Sequence, residues 1–407
     1  MTRHYLFICH PDHGHVIPNL AVVAELVRRG NRVTYLTAPS MAAIVERTGA
    51  TVLHYDSVYR QADFRHVADD PLYLLSLLLD ESAAMLRALD EQMPDRPDMV
   101  VYDISILYAG RILARKWECP AAQLIPVFAS NAGFSYLHAI YDDPGGAEAA
   151  LPRWVDGMLE RIRALAGSHG VGVPAAELWW GVQDFSLVNI PRSFQFAGDT
   201  FDERFVFVGP CLGERSFLGR WEPPGNGLPV ALVSFGAVFN EHPGFFRTCV
   251  QAFQDIPWHV VMTVADGVDP AALGPLPPTI EVHRWVPHLS VLGHASVAVT
   301  HGGMGTVMEA LHSGCPMVVV PTSAIDRPTG RRVEELGLGR AMRPEEVTAE
   351  RLVAAVLDVA ADQDIGRRTR SMRQDVQAAG GTVRAADELE RRLDRICATE
   401  RRLAGTR

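Results

Sequence analysis

The sequence has few cysteines, and no two of them lie close together. Six cysteines are scattered singly along 407 residues, with no C-x-x-C pair. This pattern argues against a disulfide scaffold and a cysteine-based metal site, and it favours a reducing compartment. The apolar run that follows His4 is five residues long and precedes no small-residue cleavage site, so a signal peptide is not expected. We therefore expect a cytoplasmic protein.

Long hydrophobic runs and an excess of positive charge are also lacking. The longest apolar stretches are interrupted by Asp80 and by Thr300-His301, so no membrane span is expected. The 38 Lys+Arg against 48 Asp+Glu give a formal net charge of -10, which repels nucleic-acid backbones. We expect no nucleic-acid partner. Apolar residues make up 48% and charged residues 21%, a globular composition, and the length favours two domains.

Three widespread catalytic motifs are absent. No G-x-G-x-x-G follows the first predicted strand, and neither the P-loop G-x-x-x-x-G-K-[ST] nor the hydrolase elbow G-x-S-x-G occurs. This disfavours a dehydrogenase, a P-loop kinase and a serine hydrolase of the α/β type. The acidic pairs Asp69-Asp70 and Asp142-Asp143 lie beside proline in loop-like sequence, so we expect no catalytic metal.

Strand-like and helix-like segments alternate along both halves of the chain. Residues 5–9, 32–37 and 99–102 predict strands, and 15–29 predict a helix that ends at Gly30. Nine glycines and prolines between Gly209 and Pro229 predict a linker, after which the alternation restarts. This favours an α/β fold of two doubly wound, Rossmann-like domains facing across a cleft. The predicted units are an N-terminal domain at 1–208, the linker at 209–229, a C-terminal domain at 230–384, and a terminal helix at 385–407. That helix could be solvated or packed back on the first domain.

One glycine-rich segment stands where such folds bind ligands. His301-Gly302-Gly303-Met304-Gly305-Thr306 follows the strand predicted at 297–300 and opens a helix. Glycines let backbone N–H groups approach a phosphate, and the amino end of a helix favours negative charge. The segment predicts a diphosphate site, with a tight turn that binds nothing as the alternative.

Several segments together resemble a known family. They are Trp285-Val286-Pro287, the 301–306 segment, Glu309-Ala310-Leu311, Pro316 and Pro321, joined by His13-Gly14-His15-Val16-Ile17-Pro18, Val233-Ser234-Phe235-Gly236 and Glu335-Leu336-Gly337. In this order and spacing they resemble the UDP-glycosyltransferase superfamily (family 1), particularly its bacterial macrolide and enediyne branch. The resemblance implies the GT-B fold, with the acceptor bound mainly by the first domain and a nucleoside-diphosphate sugar by the second.

The resemblance also implies roles for individual residues. His15, in the H-x-x-P loop, corresponds to the general base, and Asp103 to the carboxylate that holds its imidazole. A positioned histidine suits the chemistry because an alcohol is a poor nucleophile near neutral pH. His13 is the alternative base, His15 could instead cap its helix, and Asp103 could cap a loop.

The nucleotide site is implied in the same way. Trp285 would stack on the base and Glu309 would bind the ribose hydroxyls, whereas core packing and an exposed helix position are their respective alternatives. His288 replaces the glutamine usual after Trp-x-Pro and could still hydrogen-bond ribose or base. The remaining predicted contacts to nucleotide and diphosphate are Ser234 (otherwise a turn hydroxyl), Gly236, Val286, His301, Gly302, Gly303, Gly305 and Thr306.

The sugar site departs from that of glucose-using relatives. They carry an acid followed by glutamine, where an ungapped alignment places Ile325 and Asp326. An isoleucine cannot hydrogen-bond a sugar hydroxyl, which favours a deoxysugar donor. A slip of one residue would put Asp326 in the acid position and retain the acid.

The acceptor site is weakly specified. Large apolar side chains, among them Tyr73, Phe128, Phe134 and Tyr136, could line a pocket for a hydrophobic small molecule, although each also fits an ordinary core.

We expect an inverting transferase that moves a sugar, TDP-linked by preference, to a secondary metabolite without a metal or other cofactor. The alternatives are a UDP-glucose-dependent enzyme that inactivates a drug or macrolide, a non-catalytic partner of another transferase, and a nucleotide-sugar epimerase. A homodimer is compatible with the sequence.

Overall fold

The computed structural model describes residues 2–62, 71–141, 154–213, 219–236 and 242–404. The acidic pairs at 69–70 and 142–143 therefore fall outside the described residues. The described chain forms two α/β domains, each built on one parallel sheet, which confirms the predicted fold class. None of the described helices is long and apolar enough to cross a membrane.

The N-terminal domain contains a seven-stranded sheet with the order β3-β2-β1-β4-β5-β6-β7. Its strands are β1 His4–Ile8, β2 Arg32–Thr37, β3 Thr51–His54, β4 Met99–Asp103, β5 Ala121–Ile125, β6 Ser186–Val188 and β7 Phe205–Phe207. Its helices are α1 His13–Arg28, α2 Pro39–Glu46, α3 Pro71–Gln92, α4 Leu107–Lys116, α5 Tyr136–Tyr141, α6 Trp154–Ser168 and α7 Ala175–Trp180.

The C-terminal domain contains a six-stranded sheet with the order β10-β9-β8-β11-β12-β13. Its strands are β8 Val230–Ser234, β9 His259–Thr263, β10 Ile280–His283, β11 Ala295–Thr300, β12 Met317–Val319 and β13 Gly339–Ala341. The helices that follow β8 in the chain are α8 Pro243–Phe253, α9 His288–Leu292, α10 Met304–Ser313, α11 Arg327–Glu335, α12 Ala349–Ala361, α13 Gln363–Ala378 and α14 Gly381–Ala404.

Both sheets reverse their strand order at one point. In the first sheet β1 pairs with β2 on one side and β4 on the other, and in the second β8 lies between β9 and β11. The connecting helices on the two sides of such a point cover opposite faces, so the loops diverge and leave a crevice at the strands' carboxyl ends. The loops that follow β1 and β4 therefore line one crevice, and the loops that follow β8 and β11 line a second one.

The central strands are buried because helices cover both faces of each sheet. Every residue of β1, β4 and β8 is buried. This explains why these strands read as continuous apolar runs rather than as alternating ones.

Helix α1 begins directly beside the first crevice. The Asp12 side chain accepts a hydrogen bond from the Gly14 amide at 3.3 Å and so caps the helix. Pro18 lies inside the helix and cannot donate a backbone hydrogen bond. The Asn19 side chain donates to the His15 carbonyl at 2.7 Å, which ties that turn of the helix.

The last helix, α14, packs back on the N-terminal domain. Arg29, which directly follows α1, donates to Asp387 and to Glu390, each at 2.7 Å. Ala386 and Leu389 are fully buried in the same hydrophobic cluster as the residues of β1 and α1. Of the two alternatives for this helix, the structure shows the packed one.

Gly110 of α4 offers a test of the packing below the first crevice. A Cβ atom at this position would lie 2.1 Å from Cγ of Tyr102, which is fully buried one residue before Asp103. We expect Gly110→Ala to lower the free energy of unfolding by roughly 1–3 kcal/mol or more, since the core has no room to adjust. Urea denaturation would measure the change.

The matched control is Gly157→Ala on the exposed side of α6, where a Cβ would meet nothing within 4 Å. Alanine has the higher helix propensity, so this variant should be as stable as the parent or more stable by roughly 0.5–1 kcal/mol. Equal stability of the two variants would contradict the packing described for α4.

Candidate active site

The two crevices face each other and form one cleft of about 320 Å³ lined by both domains. The N-terminal domain contributes residues that follow β1, and the C-terminal domain contributes residues that follow β8 and β11. The cleft brings together every residue predicted for the nucleotide and sugar sites: Ser234, Gly236, Trp285, Val286, His288, His301, Gly302, Gly303, Gly305, Thr306, Glu309, Ile325 and Asp326. His13 and His15 line it from the other side.

His15 and Asp103 form a hydrogen-bonded pair at the first crevice. Nδ1 of His15 lies 3.0 Å from both carboxylate oxygens of Asp103, which is fully buried. The Ser105 amide also donates to this carboxylate at 2.8 Å, so Asp103 caps the turn that follows β4, as its alternative interpretation expected, in addition to binding His15. Because an ionised carboxylate only accepts, Nδ1 carries the proton and Nε2 is left as the basic nitrogen.

The surroundings of His15 set its protonation. Burial opposes the charged imidazolium, but the negative charge of Asp103 and its hydrogen bond favour it, and the net effect raises the pKa of His15 above its ordinary value. The side chain is 25% exposed, so the ring remains reachable from the cleft. A partly exposed imidazole with a raised pKa and a fixed tautomer is suited to accept a proton from a bound hydroxyl.

His13, the alternative base, contacts the opposite domain. Its ring stacks on Trp285 with 4.8 Å between ring centroids and an interplanar angle of 27°. This contact covers part of one face of the indole. A nucleotide's base that stacks on Trp285 must therefore use the other face of the indole or displace His13.

The glycine-rich segment after β11 is shaped around the ring of His301. A Cβ at Gly236 or Gly303 would lie 2.9 Å or less from the imidazole, and Gly302 has a φ of 99°, which favours glycine. In the described part of the chain, no heavy atom lies within 4 Å of a Cβ placed on Gly305. Three of these glycines are thus explained by protein contacts or backbone conformation, whereas Gly305 leaves the first turn of α10 open.

The amino end of α10 offers hydrogen-bond donors to the cleft. Gly303 precedes the helix and no side chain caps it. Nδ1 of His301 is buried and has no hydrogen-bond partner among the described residues. Unsatisfied amides, the helix dipole and a histidine together make this the part of the cleft best suited to an anion.

Glu309 and His288 form the polar side of the cleft beyond Trp285. Glu309 is only 5% exposed, so its interpretation as an exposed helix residue is wrong. Nδ1 of His288 lies 3.4 Å from a Glu309 carboxylate oxygen, and its Nε2 lies 3.2 Å from Oγ1 of Thr263. Two carboxylate oxygens beside an imidazole can accept hydrogen bonds from vicinal hydroxyls.

Ile325 and Asp326 lie in a one-turn 3-10 helix, Ala324–Asp326, that lines the cleft. Burial raises the pKa of Asp326, although the nearby His301 and a 2.7 Å hydrogen bond from Ser323 act in the other direction. The backbone oxygen of Ile325 accepts a hydrogen bond from Tyr136 of the N-terminal domain at 3.3 Å.

Three of the acceptor residues predicted from the sequence do not line this cleft in the described part of the chain. Phe128 is fully buried and stacks on Phe194, and Phe134 packs against Phe128, because both belong to an aromatic cluster beneath the cleft. Tyr73 lies on α3 outside the cleft lining. The apolar side chains with which the N-terminal domain does line the cleft are Ile17, Pro18, Tyr59, Pro126, Val127 and Tyr136.

Tyr59 reaches the cleft through a contact that no local pattern signals. Glu81 of α3 is fully buried, and its carboxylate accepts hydrogen bonds from the Tyr59 amide at 2.9 Å and from Tyr55 Oη at 2.6 Å. The ring of Tyr59 packs edge-on against that of His10, with 3.8 Å between ring centroids, and the centroid of the His10 ring lies 5.1 Å from that of His15. A segment distant in sequence from α1 thus supports the wall around His15.

Comparisons with known proteins agree with this geometry. The family model "Erythromycin biosynthesis protein CIII-like, C-terminal domain" matches residues 248–390. Demethyllactenocin mycarosyltransferase of Streptomyces fradiae is 38% identical, with 95% of this chain and 86% of the relative covered. Oleandomycin glycosyltransferase of Streptomyces antibioticus is 36% identical, with 94% and 89% covered.

A solved structure supports the same assignment. A crystallised calicheamicin glycosyltransferase is 43% identical and superposes with a TM-score of 0.85, with 97% of this chain and 99% of that chain covered. The chain therefore belongs to the family 1 natural-product glycosyltransferases, which are transferase enzymes with the GT-B fold.

Proposed function

We propose that the protein is an inverting glycosyltransferase that moves a deoxysugar from a TDP-linked donor to a hydroxyl of a hydrophobic secondary metabolite. One observation carries the proposal: His15, which is hydrogen-bonded to the buried Asp103, and the open amino end of α10 line the same cleft from opposite domains. A base and an anion site on either side of one cavity are what a direct displacement of a nucleoside diphosphate requires.

His15 acts as the general base in this proposal. Nε2 takes the proton from the acceptor hydroxyl as its oxygen attacks the anomeric carbon, and the bond from that carbon to the diphosphate oxygen breaks. Asp103 stabilises the imidazolium that forms and keeps the ring in its tautomer. A single displacement inverts the configuration at the anomeric carbon.

The C-terminal domain holds the leaving group. The amides at the start of α10 and the side chain of His301 bind the diphosphate, on which negative charge increases as the bond breaks. Gly305 lets the phosphate oxygens approach the helix backbone closely. Because these groups supply the positive potential, we propose that transfer needs no metal and no other cofactor.

We assign the donor site and the acceptor site from the residues that line the cleft. Trp285 and Glu309 bind the base and the ribose, and Ile325 accepts a deoxygenated carbon of the sugar. Ile17, Pro126 and Val127 give the acceptor side its apolar character, which suits a hydrophobic aglycone.

The six free thiols, five of them buried, support a cytoplasmic enzyme.

A UDP-glucose-dependent enzyme is the second candidate, and Asp326 favours it. This carboxylate is 8% exposed and lines the cleft next to Ile325. It could accept hydrogen bonds from sugar hydroxyls in the way that the acid of glucose-using relatives does. A comparison of donors separates the two candidates.

Removal of the base should abolish most of the activity. We expect His15→Ala to lower turnover by at least ~100-fold, the usual scale for a general base, while binding of the nucleoside diphosphate stays nearly intact. His13→Ala is the matched control and should retain far more activity. Initial rates by liquid chromatography and titration calorimetry with TDP would measure both quantities, and wild-type turnover in His15→Ala would contradict the assignment.

Replacement of Asp103 tests the electrostatic part of the pair. Asp103 raises the pKa of His15, so the neutral, active base is lost as the pH falls through that raised value. Asp103→Asn removes the negative charge, which lowers the pKa of His15 and should move the acid limb of kcat/KM to lower pH with a smaller loss of rate than in His15→Ala. An unchanged pH profile would show that the pair is not the catalytic one.

Donor choice should follow Ile325. A sugar hydroxyl buried against this side chain loses a hydrogen-bond partner at a cost of roughly 1–3 kcal/mol, or about 5- to 150-fold in kcat/KM. A TDP-deoxysugar should therefore outcompete UDP-glucose on one acceptor, and the double variant Ile325→Asp with Asp326→Gln should narrow the gap. Ile325→Val adds no polar group and should leave the preference for the TDP-deoxysugar unchanged. A wild-type preference for UDP-glucose would favour the second candidate.

Activity should persist in excess chelator. The α10 amides and His301 are proposed to supply the charge stabilisation that a divalent ion would otherwise give. Rates with and without EDTA would be compared, with a metal-dependent transferase assayed in parallel to show that chelation is complete. Loss of activity that magnesium or manganese restores would overturn this part of the proposal.

A further inference from the structure

One hydrogen bond joins the acceptor domain to the Ala324–Asp326 turn of the cleft. The phenol of Tyr136, the first residue of α5, donates to the backbone oxygen of Ile325 at 3.3 Å. Both residues line the cleft, but they belong to different domains. The position of the Ala324–Asp326 turn is therefore tied to the acceptor side.

Tyr136 is held rigidly on its own side. Its ring packs against Phe128 with 5.8 Å between centroids, and Phe128 is fully buried and stacks on Phe194 at 5.6 Å. Such a ring has little freedom to follow a moving partner. The phenol oxygen is a fixed point to which the turn is attached.

A second contact ties the same part of the C-terminal domain to the same aromatic cluster. Arg332 of α11, the helix that begins directly after the turn, donates to the carbonyls of Phe194 at 2.9 Å and of Gln195 at 3.1 Å. Its guanidinium also lies 4.9 Å from the centre of the Phe196 ring. The turn and the helix behind it are thus both fixed against the acceptor domain.

The phenol remains a donor over the pH range in which the enzyme is assayed. Burial raises the pKa of Tyr136 well above its ordinary value, and the negative charge of Asp326 acts in the same direction. The hydrogen bond to Ile325 is therefore not lost by ionisation of the tyrosine.

We propose that Tyr136 is a positioning residue for the donor sugar: by holding the Ile325 backbone, it fixes where Ile325 and Asp326 meet the sugar. This rests on the proposed function for its assignment of that turn to the sugar. Tyr136 is not assigned a role in the chemical step. Its proposed effect is on the sugar portion of the donor, since the proposed function assigns the nucleotide to α10 and Trp285.

The variant Tyr136→Phe keeps the ring and its packing and removes only the hydroxyl. The loss of one hydrogen bond to the turn should weaken binding of TDP-glucose and UDP-glucose by about 2- to 12-fold. Binding of bare TDP and UDP should stay within about 2-fold of wild type, because those ligands do not reach the turn. Titration calorimetry with the four ligands gives the ratio of sugar-nucleotide to nucleotide affinity for each protein.

Tyr108→Phe is the matched control. Tyr108 is a buried tyrosine of the same domain, and its hydroxyl has no hydrogen-bond partner among the described residues. Its loss should leave the affinity ratio unchanged. A general loss of folded protein would lower the titrated fraction for all four ligands equally and would not change the ratio.

The outcomes separate this inference from the proposed function. The positioning role is supported if the ratio of sugar-nucleotide to nucleotide affinity falls in Tyr136→Phe and not in Tyr108→Phe. A wild-type ratio in Tyr136→Phe, or an equal change in Tyr108→Phe, would overturn it. The proposed function is tested separately by sugar transfer in the wild type, since calorimetry reports on the sugar's contact with the turn whether or not transfer occurs.

Discussion

The reversal of strand order in each sheet is the constraint on which the site depends. Parallel strands on either side of β1 and of β8 send their connections to opposite faces, and the crevices that result lie at β1/β4 and at β8/β11. His15 follows β1, Asp103 ends β4, Ser234 ends β8 and His301 follows β11. The groups proposed for catalysis and for diphosphate binding meet because the two domains face each other at these crevices, although almost 300 residues separate His15 from His301 in sequence.

Much of this arrangement could be predicted because it is encoded locally. Buried parallel strands are rich in apolar residues, so the strand at 32–37 was predicted with the observed limits and β1 with an error of one residue at each end. The residues that the family resemblance assigned to the nucleotide and sugar all line the cleft, since they follow strand ends where such folds bind ligands. Their chemical roles remain predictions.

The acceptor side could not be predicted because it depends on contacts between distant segments. Phe128 and Phe134 have the composition of a pocket lining, yet they fill an aromatic cluster beneath the cleft. Tyr59 lines the cleft because the buried Glu81 binds its backbone. Tyr136, a large apolar residue of the same segment as Phe128 and Phe134 and predicted with them to line a pocket, does line the cleft because α5 meets the C-terminal domain. Large apolar residues are equally suited to a core and to a pocket wall, and only the tertiary packing separates the two.

The central claim is a single displacement at the anomeric carbon, with the hydroxyl activated from one domain and the diphosphate held by the other. The configuration of the product tests it most directly. Proton NMR of the purified glycoside gives the coupling constant of the anomeric proton, which can be compared with that of the donor. The account predicts an inverted configuration, as when an α-linked donor yields a β-glycoside. Retention would require a second displacement or a different order of bond breaking, and it would contradict the role given to His15.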